Sequence, residues 1–323
     1  RRYSAAPFDE YDGVLKTEAA KRVLKEQFLE ERIYSVSQIE RFITCPFAYF
    51  IEHILHVKPI EEFTKKWETA ERGLILHDVL AWFHNKHAGV PLGKIPEAKK
   101  ELFERAKEIF ERRKQRTPEN LHGRLFAEYL GVLRLLEKYV KNYSAEEALW
   151  EPRYFEVFFG YETNEIGDTA GHPKPFVLET EQGNIKFRGR IDRIDWHSGN
   201  FRVVDYKTTS APSFKSIQEG KSIQLPIYVQ AAETVCFPGE TCVEARYIAL
   251  NRKPFKKVMN RDDQETWDQC LDSARDSIAR AIRSIQDGRF PPTPLKDACR
   301  YCNNRSVCRY EEMRIERKAQ GVS

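Results

Sequence analysis

The chain has 323 residues, 41% hydrophobic and 12% aromatic, enough to bury a substantial core and too apolar for a disordered chain. Its 53 basic and 49 acidic residues leave a net charge of +4, which excludes a uniformly basic nucleic-acid coat but allows a local basic cleft. No apolar run reaches the ~18 residues of a membrane helix, no secretory signal opens the chain, and the seven cysteines are an odd, unevenly spread set unlike a secreted disulfide framework. A cytoplasmic protein is expected. The opening RRYSAAPF lacks an initiator Met, which suggests a fragment of a longer chain.

Residues 1–32 read as an extension with a short helix in KTEAAKRVLKEQFLEER. In SVSQIERF, Ser37 and Glu40 are spaced as a capping box, so a helix is predicted to start there. TCPFAYFIEHIL follows, with Cys45 just before Pro46. Residues 67–88 carry a helical stripe of Leu76, Val79, Leu80 and Phe83. Two more amphipathic helices follow at 97–116 and 120–143, rich in charge pairs four residues apart; runs such as ERRKQR read as solvated faces.

Strand-like runs begin after this helical region: RYFEVFF, FVLET, NIKFRGRIDRID, FRVVDYK and VEARYIAL are enriched in β-branched and aromatic residues. Between the last two lies SIQLPIYVQAAE, read as a helix interrupted early by Pro226. A long helix, DDQETWDQCLDSARDSIARAIRSIQDG, is predicted to end at Gly288. The segment RFPPTPLKDACRYCNNRSVCRY is rich in Pro and Cys. There is no internal repeat and no G-x-x-x-x-G-K-[ST] phosphate loop.

The stretch GRIDRIDWHSGNFRVVDYKTT carries the densest chemistry. Ser198-Gly199 suits a tight hairpin turn. A register that pairs His197 with Asn200 sets Asp192 opposite Asp205, with Cβ atoms roughly 4.5–5.5 Å apart. Period-two alternation puts Lys207 on the face of Asp205. Two opposed carboxylates repel, and a hard divalent cation such as Mg²⁺ between them reverses that sign. Solvated charges on a strand face are the plainer reading, but FRVV running into Asp205 suggests burial, where an unpaired acid is costly. Asp195 pairs with Arg202 on the other face and reads as an ordinary cross-strand ion pair.

Cys299, Cys302 and Cys308 form C-x₂-C-x₅-C, three thiols of a four-sulfur site. Candidates for the fourth are Cys45, Cys236, Cys242 and Cys270. Cys45 is preferred because the following Pro breaks a helix and projects the thiolate; it would join the chain ends across ~250 residues. Zinc and an iron–sulfur cluster both fit such a set. Cys236, Cys242 and Cys270 read as plain core or surface thiols. His77 shares a helix face with Gly73, whose small size would allow close backbone approach. A lone helical His is more often structural, so it gains weight only if its helix packs on the acid pair. Gln224 and Tyr228 are four apart on the helix after the hairpin; alone, they read as a partly exposed face.

In order, GLILH, GRID, VVDYKT and QLPIY resemble the RecB-like branch of the PD-(D/E)XK nuclease superfamily. YSVSQIERFITCPFAYF and the C-x₂-C-x₅-C tail resemble its iron–sulfur members, in the pattern of the C-terminal nuclease domain found in AddAB-type helicase–nucleases. The resemblance covers about residues 33–310. It implies an α/β fold, with a mixed central β-sheet flanked by helices as a restriction-endonuclease-like core, a large helical insertion, and an iron–sulfur clasp joining the N- and C-terminal segments. The implied organisation is an extension at 1–32 and a nuclease domain at 33–315, followed by a tail at 316–323. Within the domain lie a helical lobe (about 89–149), a core (about 150–290) and an iron–sulfur segment (291–310, with Cys45).

By the same resemblance, His77, Asp192, Asp205 and the Tyr206 carbonyl would hold Mg²⁺ or Mn²⁺. Lys207 would orient the attacking water, with Gln224 and Tyr228 as the Q-x-x-x-Y motif beside it. Cys45, Cys299, Cys302 and Cys308 would hold a [4Fe–4S] cluster. The implied function is a metal-dependent DNA exonuclease in double-strand break end resection and recombinational repair. Its partners would be single-stranded DNA or duplex ends, and a helicase subunit or helicase-like remainder. Rival readings are a stand-alone CRISPR-associated iron–sulfur nuclease, a non-cutting DNA-binding scaffold, and a redox-sensing iron–sulfur protein.

Overall fold

The computed structural model describes residues 8–27, 32–57, 65–143, 147–161, 171–208, 210–251, 256–300, 302–308 and 311. The expected tail at 316–323, the first seven residues and the end of the first expected helix beyond Gln27 lie outside the described residues. In chain order the helices and strands are α1 (Glu18–Gln27), β1 (Ile33–Ser35), α2 (Val36–Thr44), α3 (Pro46–Tyr49), α4 (Lys65–Lys86), α5 (Ala98–Lys114) and α6 (His122–Asn142). These are followed by β2 (Glu151–Phe159), β3 (Phe176–Thr180), β4 (Gly183–His197), β5 (Asn200–Lys207), α7 (Phe214–Gln218), α8 (Gln224–Ala231), β6 (Cys242–Ala249), β7 (Lys256–Asn260), α9 (Gln264–Gln286) and α10 (Arg305–Cys308).

The strands form one mixed sheet, and β4 organises it. At 15 residues, β4 is long enough to serve two sets of partners. Its first half pairs parallel with β1 and antiparallel with β3; its second half pairs antiparallel with β2 and β5. The sheet continues through a parallel β5–β6 pair, which α7 and α8 connect, to an antiparallel β7. Helices cover it on both faces, so β5 is buried from Phe201 to Tyr206, which is why it reads as a nearly unbroken apolar run. One core packs α2, α8 and α9 on the sheet; a second packs α4, α5 and α6 against Val204, Tyr206, Ile248 and Leu250. No helix among the described residues is long and apolar enough to cross a membrane. This is the expected mixed α/β architecture, with Leu76, Val79, Leu80 and Phe83 as the fully buried stripe of α4.

Three local expectations are corrected. The capping box at the start of α2 is Ser35 with Gln38, not Ser37 with Glu40. Gln38 N–H donates to Ser35 Oγ at 3.2 Å, and Ser35 N–H to Gln38 Oε1 at 3.1 Å. Ser35 wins because it is the last extended residue, at φ −79° and ψ 149°, whereas Ser37 is already helical. Pro226 does not interrupt α8. It is the third residue of the helix, where a missing N–H leaves no hydrogen bond unmade.

Asp195 and Arg202 form the expected cross-strand ion pair, but not an ordinary one, since both side chains are fully buried. Asp195 also accepts from Arg193, Arg202 reaches Glu147 at 2.6 Å, and Arg246 closes the network on Glu147 and Glu244. Three buried guanidiniums thus face three buried carboxylates, and Arg193 donates on to the hydroxyls of Tyr139 at 2.9 Å and Tyr206 at 3.1 Å. The helical layer and the sheet are therefore joined by a charge-balanced core as well as an apolar one.

Candidate active site

The β4–β5 hairpin turns on Ser198 and Gly199, both at positive φ (50° and 81°), as a two-residue turn matched to strand twist requires. The register is the expected one: His197 pairs with Asn200 and Asp195 with Arg202. The ladder runs as far as Arg193–Val204, one step short of the acid pair. There the Asp192 carboxylate takes over from backbone pairing and accepts the Tyr206 N–H at 2.7 Å. Asp192 and Asp205 end side by side, 8% and 2% exposed. Burial first, and the Asp192 charge second, push the Asp205 carboxyl up to about 7, against the opposing pull of Lys207 and His77.

Lys207 and Asp205 share the expected face and lie 2.6 Å apart. Burial would lower the Lys207 pKa, but the Asp205 carboxylate outweighs it and holds the ammonium above its ordinary range. Gln224, at the start of α8, bridges the pair. Its Nε2 donates to Asp205 Oδ1 and its Oε1 accepts from Lys207 Nζ, both at 2.7 Å. Tyr228, one turn on, is buried edge-to-face against Phe159 with ring centroids 6.1 Å apart. Gly189 makes this packing possible, since a Cβ there would stand 2.7 Å from Phe159 and 2.9 Å from Tyr228. Gly73 is different: a Cβ there would meet only the Thr208 methyl at 3.8 Å, so no close backbone approach demands a glycine.

Helix α4 does pack on the acid pair. His77 Nδ1 lies 3.2 Å from Asp192 Oδ1. Burial would lower the imidazole pKa, but Asp192, aided by Glu156 and Asp205, raises it to about 8. Among the described residues, His77, Glu156 and Asp192 form a group whose candidate metal-ligating atoms all lie within 4.8 Å of one another. Asp205 stands beside this group, held by Lys207 and Gln224.

Glu156 is the residue that sequence reasoning missed. It sits in β2 between Phe155 and Val157, which pair with Arg193 and Ile191, so it falls level with Asp192. Its φ of 54° breaks the extended backbone at that point. One oxygen lies 3.9 Å from His77, and the other is 2.9 Å from Arg190. A lone acid among the aromatics of RYFEVFF was the available signal, but only the β2–β4 register shows what it faces. The site opens into a cavity of about 520 Å³, which Ser37, Glu40, Arg188 and Arg190 also line.

The C-terminal segment approaches the end of α2, but among the described residues its cysteines do not form a group close enough with Cys45 to hold a metal ion. Leu295 N–H donates to Thr44 O at 2.9 Å, and Asn304 donates to Glu52, the carboxylate that also pairs with Arg41. Cys45 caps α2. Burial chiefly, with Cys299 and Cys302 as neighbours, pushes its thiol up to about 11. Cys308 ends α10 nearby in sequence, and none of the seven cysteines is in a disulfide. Cys242 and Cys270 are buried in the core, and Cys236 packs against it, as expected of plain thiols.

The model of the PD-(D/E)XK nuclease superfamily matches residues 33–309. The chain belongs to that superfamily. Members of this nuclease superfamily use divalent metals, and the histidine–carboxylate group fits that chemistry. Curated relatives, each named as a subunit of an ATP-dependent helicase/deoxyribonuclease, are similar to it. The protein from Carboxydothermus hydrogenoformans is 27% identical over 89% of this chain and 32% of its own length. That from Lysinibacillus sphaericus is 27% identical over 68% and 19%, and that from Clostridium tetani 28% over 61% and 17%. The nuclease domain thus spans about a third or less of the length of these relatives.

Proposed function

We propose that this nuclease domain hydrolyses DNA phosphodiester bonds with Mg²⁺ or Mn²⁺, as an exonuclease acting in double-strand break end resection within a larger helicase–nuclease. The observation that carries the reading is the bridged set Asp192, Asp205, Lys207 and Gln224 on one end of β4–β5, with His77 of α4 against it. His77, Asp192, Asp205 and the Tyr206 carbonyl would hold the cation. The donor set fits: it is oxygen-rich, and two buried neighbouring carboxylates are stabilised by a divalent charge. When bound, that cation supplies charge neutralisation on the phosphate and a more acidic water.

The chain's own residues do the positioning. Lys207 has three donors; Asp205 and Gln224 engage two, and the third remains for the attacking water or a phosphate oxygen. Gln224 prevents Lys207 and Asp205 from swinging apart. Tyr228 supports this helix face from below. Arg188 at the cavity wall adds positive charge where a polyanion enters, whereas Arg190 beside it is paired with Glu156.

Cys45, Cys299, Cys302 and Cys308 are an all-sulfur donor set, and we assign them a [4Fe–4S] cluster with a clasping rather than hydrolytic role. The names of the relatives, each a subunit of an ATP-dependent helicase/deoxyribonuclease, support a helicase partner. The test is cleavage of end-labelled single- and double-stranded DNA by anaerobically purified protein. Activity is expected with Mg²⁺ or Mn²⁺ and poor turnover with Ca²⁺, which takes more ligands at longer distances. Full cleavage in EDTA rules the mechanism out, and products released only from internal positions rule out the exonuclease assignment.

A further inference from the structure

The residue that precedes helix α8 in the capping position is Ile223, which has no side-chain oxygen to cap the helix. The exposed N–H groups at that helix start need an acceptor. It comes from another element. Glu40 Oε1 in α2 accepts Ile223 N–H at 2.9 Å, Gln224 N–H at 3.1 Å and Ser222 Oγ at 3.0 Å. The residue whose backbone Glu40 grips is therefore Gln224, whose side chain spans Asp205 and Lys207. At its far end α2 is tied to the C-terminal segment through Thr44 O and Leu295 N–H. A negative carboxylate at a helix N-terminus is also favoured by the helix dipole.

We infer that Glu40 is a positioning residue of the nuclease site: it caps α8 from α2 and so fixes where Gln224 holds Asp205 and Lys207. This rests on the reading that these three groups serve hydrolysis. Glu40 lines the same cavity but makes no hydrogen bond to Asp205 or Lys207; its hydrogen bonds go to the segment 222–224. It is therefore expected to govern turnover rather than affinity for DNA.

The experiment uses the full chain with Glu40→Ala, Glu40→Gln and Glu40→Asp, and with Gln224→Ala and Lys207→Ala as controls. The readouts are kcat and KM on an end-labelled oligonucleotide with Mn²⁺, Mn²⁺ binding without DNA by electron paramagnetic resonance, and melting temperature. Glu40→Ala is expected to lower kcat roughly tenfold or more, as loss of an outer-shell partner does, with KM nearly unchanged. Glu40→Gln keeps an oxygen acceptor and is expected to recover most of that loss. Glu40→Asp keeps the charge but withdraws it by one methylene, and is expected to lose kcat while still folding, which keeps the test open if the alanine variant does not fold. Wild-type kcat in both Ala and Asp variants overturns the inference. So does a loss in which Gln fares no better than Ala, or in which KM rises as kcat falls, since these mark a role other than positioning; a lower melting temperature in the Ala variant is expected from the partly buried N–H groups it leaves unpaired. If the Gln224 and Lys207 controls themselves cleave at wild-type rate, the functional reading falls and this inference with it. Impaired controls beside unimpaired Glu40 variants sink this inference alone.

Discussion

At the scale of single residues, Asp192 has two roles that different substitutions separate. One oxygen faces His77 and the other accepts the buried Tyr206 N–H. Opposition to Asp205 alone would suggest that removing Asp192 relieves strain. The backbone contact reverses this, because Asp192→Ala leaves a buried donor unpaired at a cost of about 1–3 kcal/mol. Asp192→Asn keeps an acceptor and loses the charge. It is expected to retain the wild-type melting temperature and to lose more activity than the roughly 100-fold typical of outer-shell changes. Lys207→Ala is expected to abolish cleavage with the fold intact. Circular dichroism melts beside cleavage rates check both; wild-type rates in either variant contradict the site.

At the scale of elements, the β4–β5 hairpin has two unlike faces. One carries the site; the other carries the buried network of Arg193, Asp195 and Arg202. Burial alone would raise the Asp195 pKa, but the two guanidiniums outweigh it and hold the carboxyl at about 2, below the ordinary 3.8. A depressed carboxylate contributes stability above its unfolded value and loses it as pH falls through the folded one, here from near 4 down to about 2. That contribution is about 2 kcal/mol. Asp195→Asn is expected to melt below the wild type at neutral pH, with the gap closing as pH falls across that window. Arg202→Met, which leaves three buried carboxylates facing two guanidiniums, is expected to cost about 3–5 kcal/mol. Urea titrations at neutral and acid pH measure both; a constant gap across the window argues against the assigned linkage.

At the scale of the whole molecule, α2 is the strut between distant segments. It carries Glu40 toward α8 and ends at Cys45 beside the segment that follows α9. A closure between positions ~250 residues apart removes considerable freedom from the unfolded chain. Cys45→Ala and Cys302→Ala are therefore expected to lose iron and lower the melting temperature, whereas Cys236→Ala, Cys242→Ala and Cys270→Ala keep iron. Metal content per chain across the seven single variants decides this. Iron kept without Cys45 moves the fourth ligand elsewhere, and zinc after anaerobic purification keeps the clasp but replaces the cluster.

Local periodicity was enough to read the hairpin register, the apolar stripe of α4 and the grouping of Asp205 with Lys207. Each depends on neighbours in sequence, where backbone geometry leaves few choices. The ordered motifs likewise made the superfamily and its mixed α/β sheet legible. The true capping box lay two residues upstream of the expected one, because Ser35, not Ser37, is where β1 gives way to α2. That small shift concealed Glu40, whose partners lie more than 180 residues away. Glu156 stayed hidden for the same kind of reason, since an acid in a strand gains meaning only from the strand beside it. Asp195 and Arg202 read as an ordinary cross-strand ion pair, and their burial was not legible because the pairing that permits it is completed in space by Arg193, Glu147 and Arg246. Short-range patterning thus determined the elements and the candidate chemistry of this protein. Tertiary packing alone decided which carboxylates are buried, which helix end needs a cap from elsewhere, and which acid of β2 faces His77.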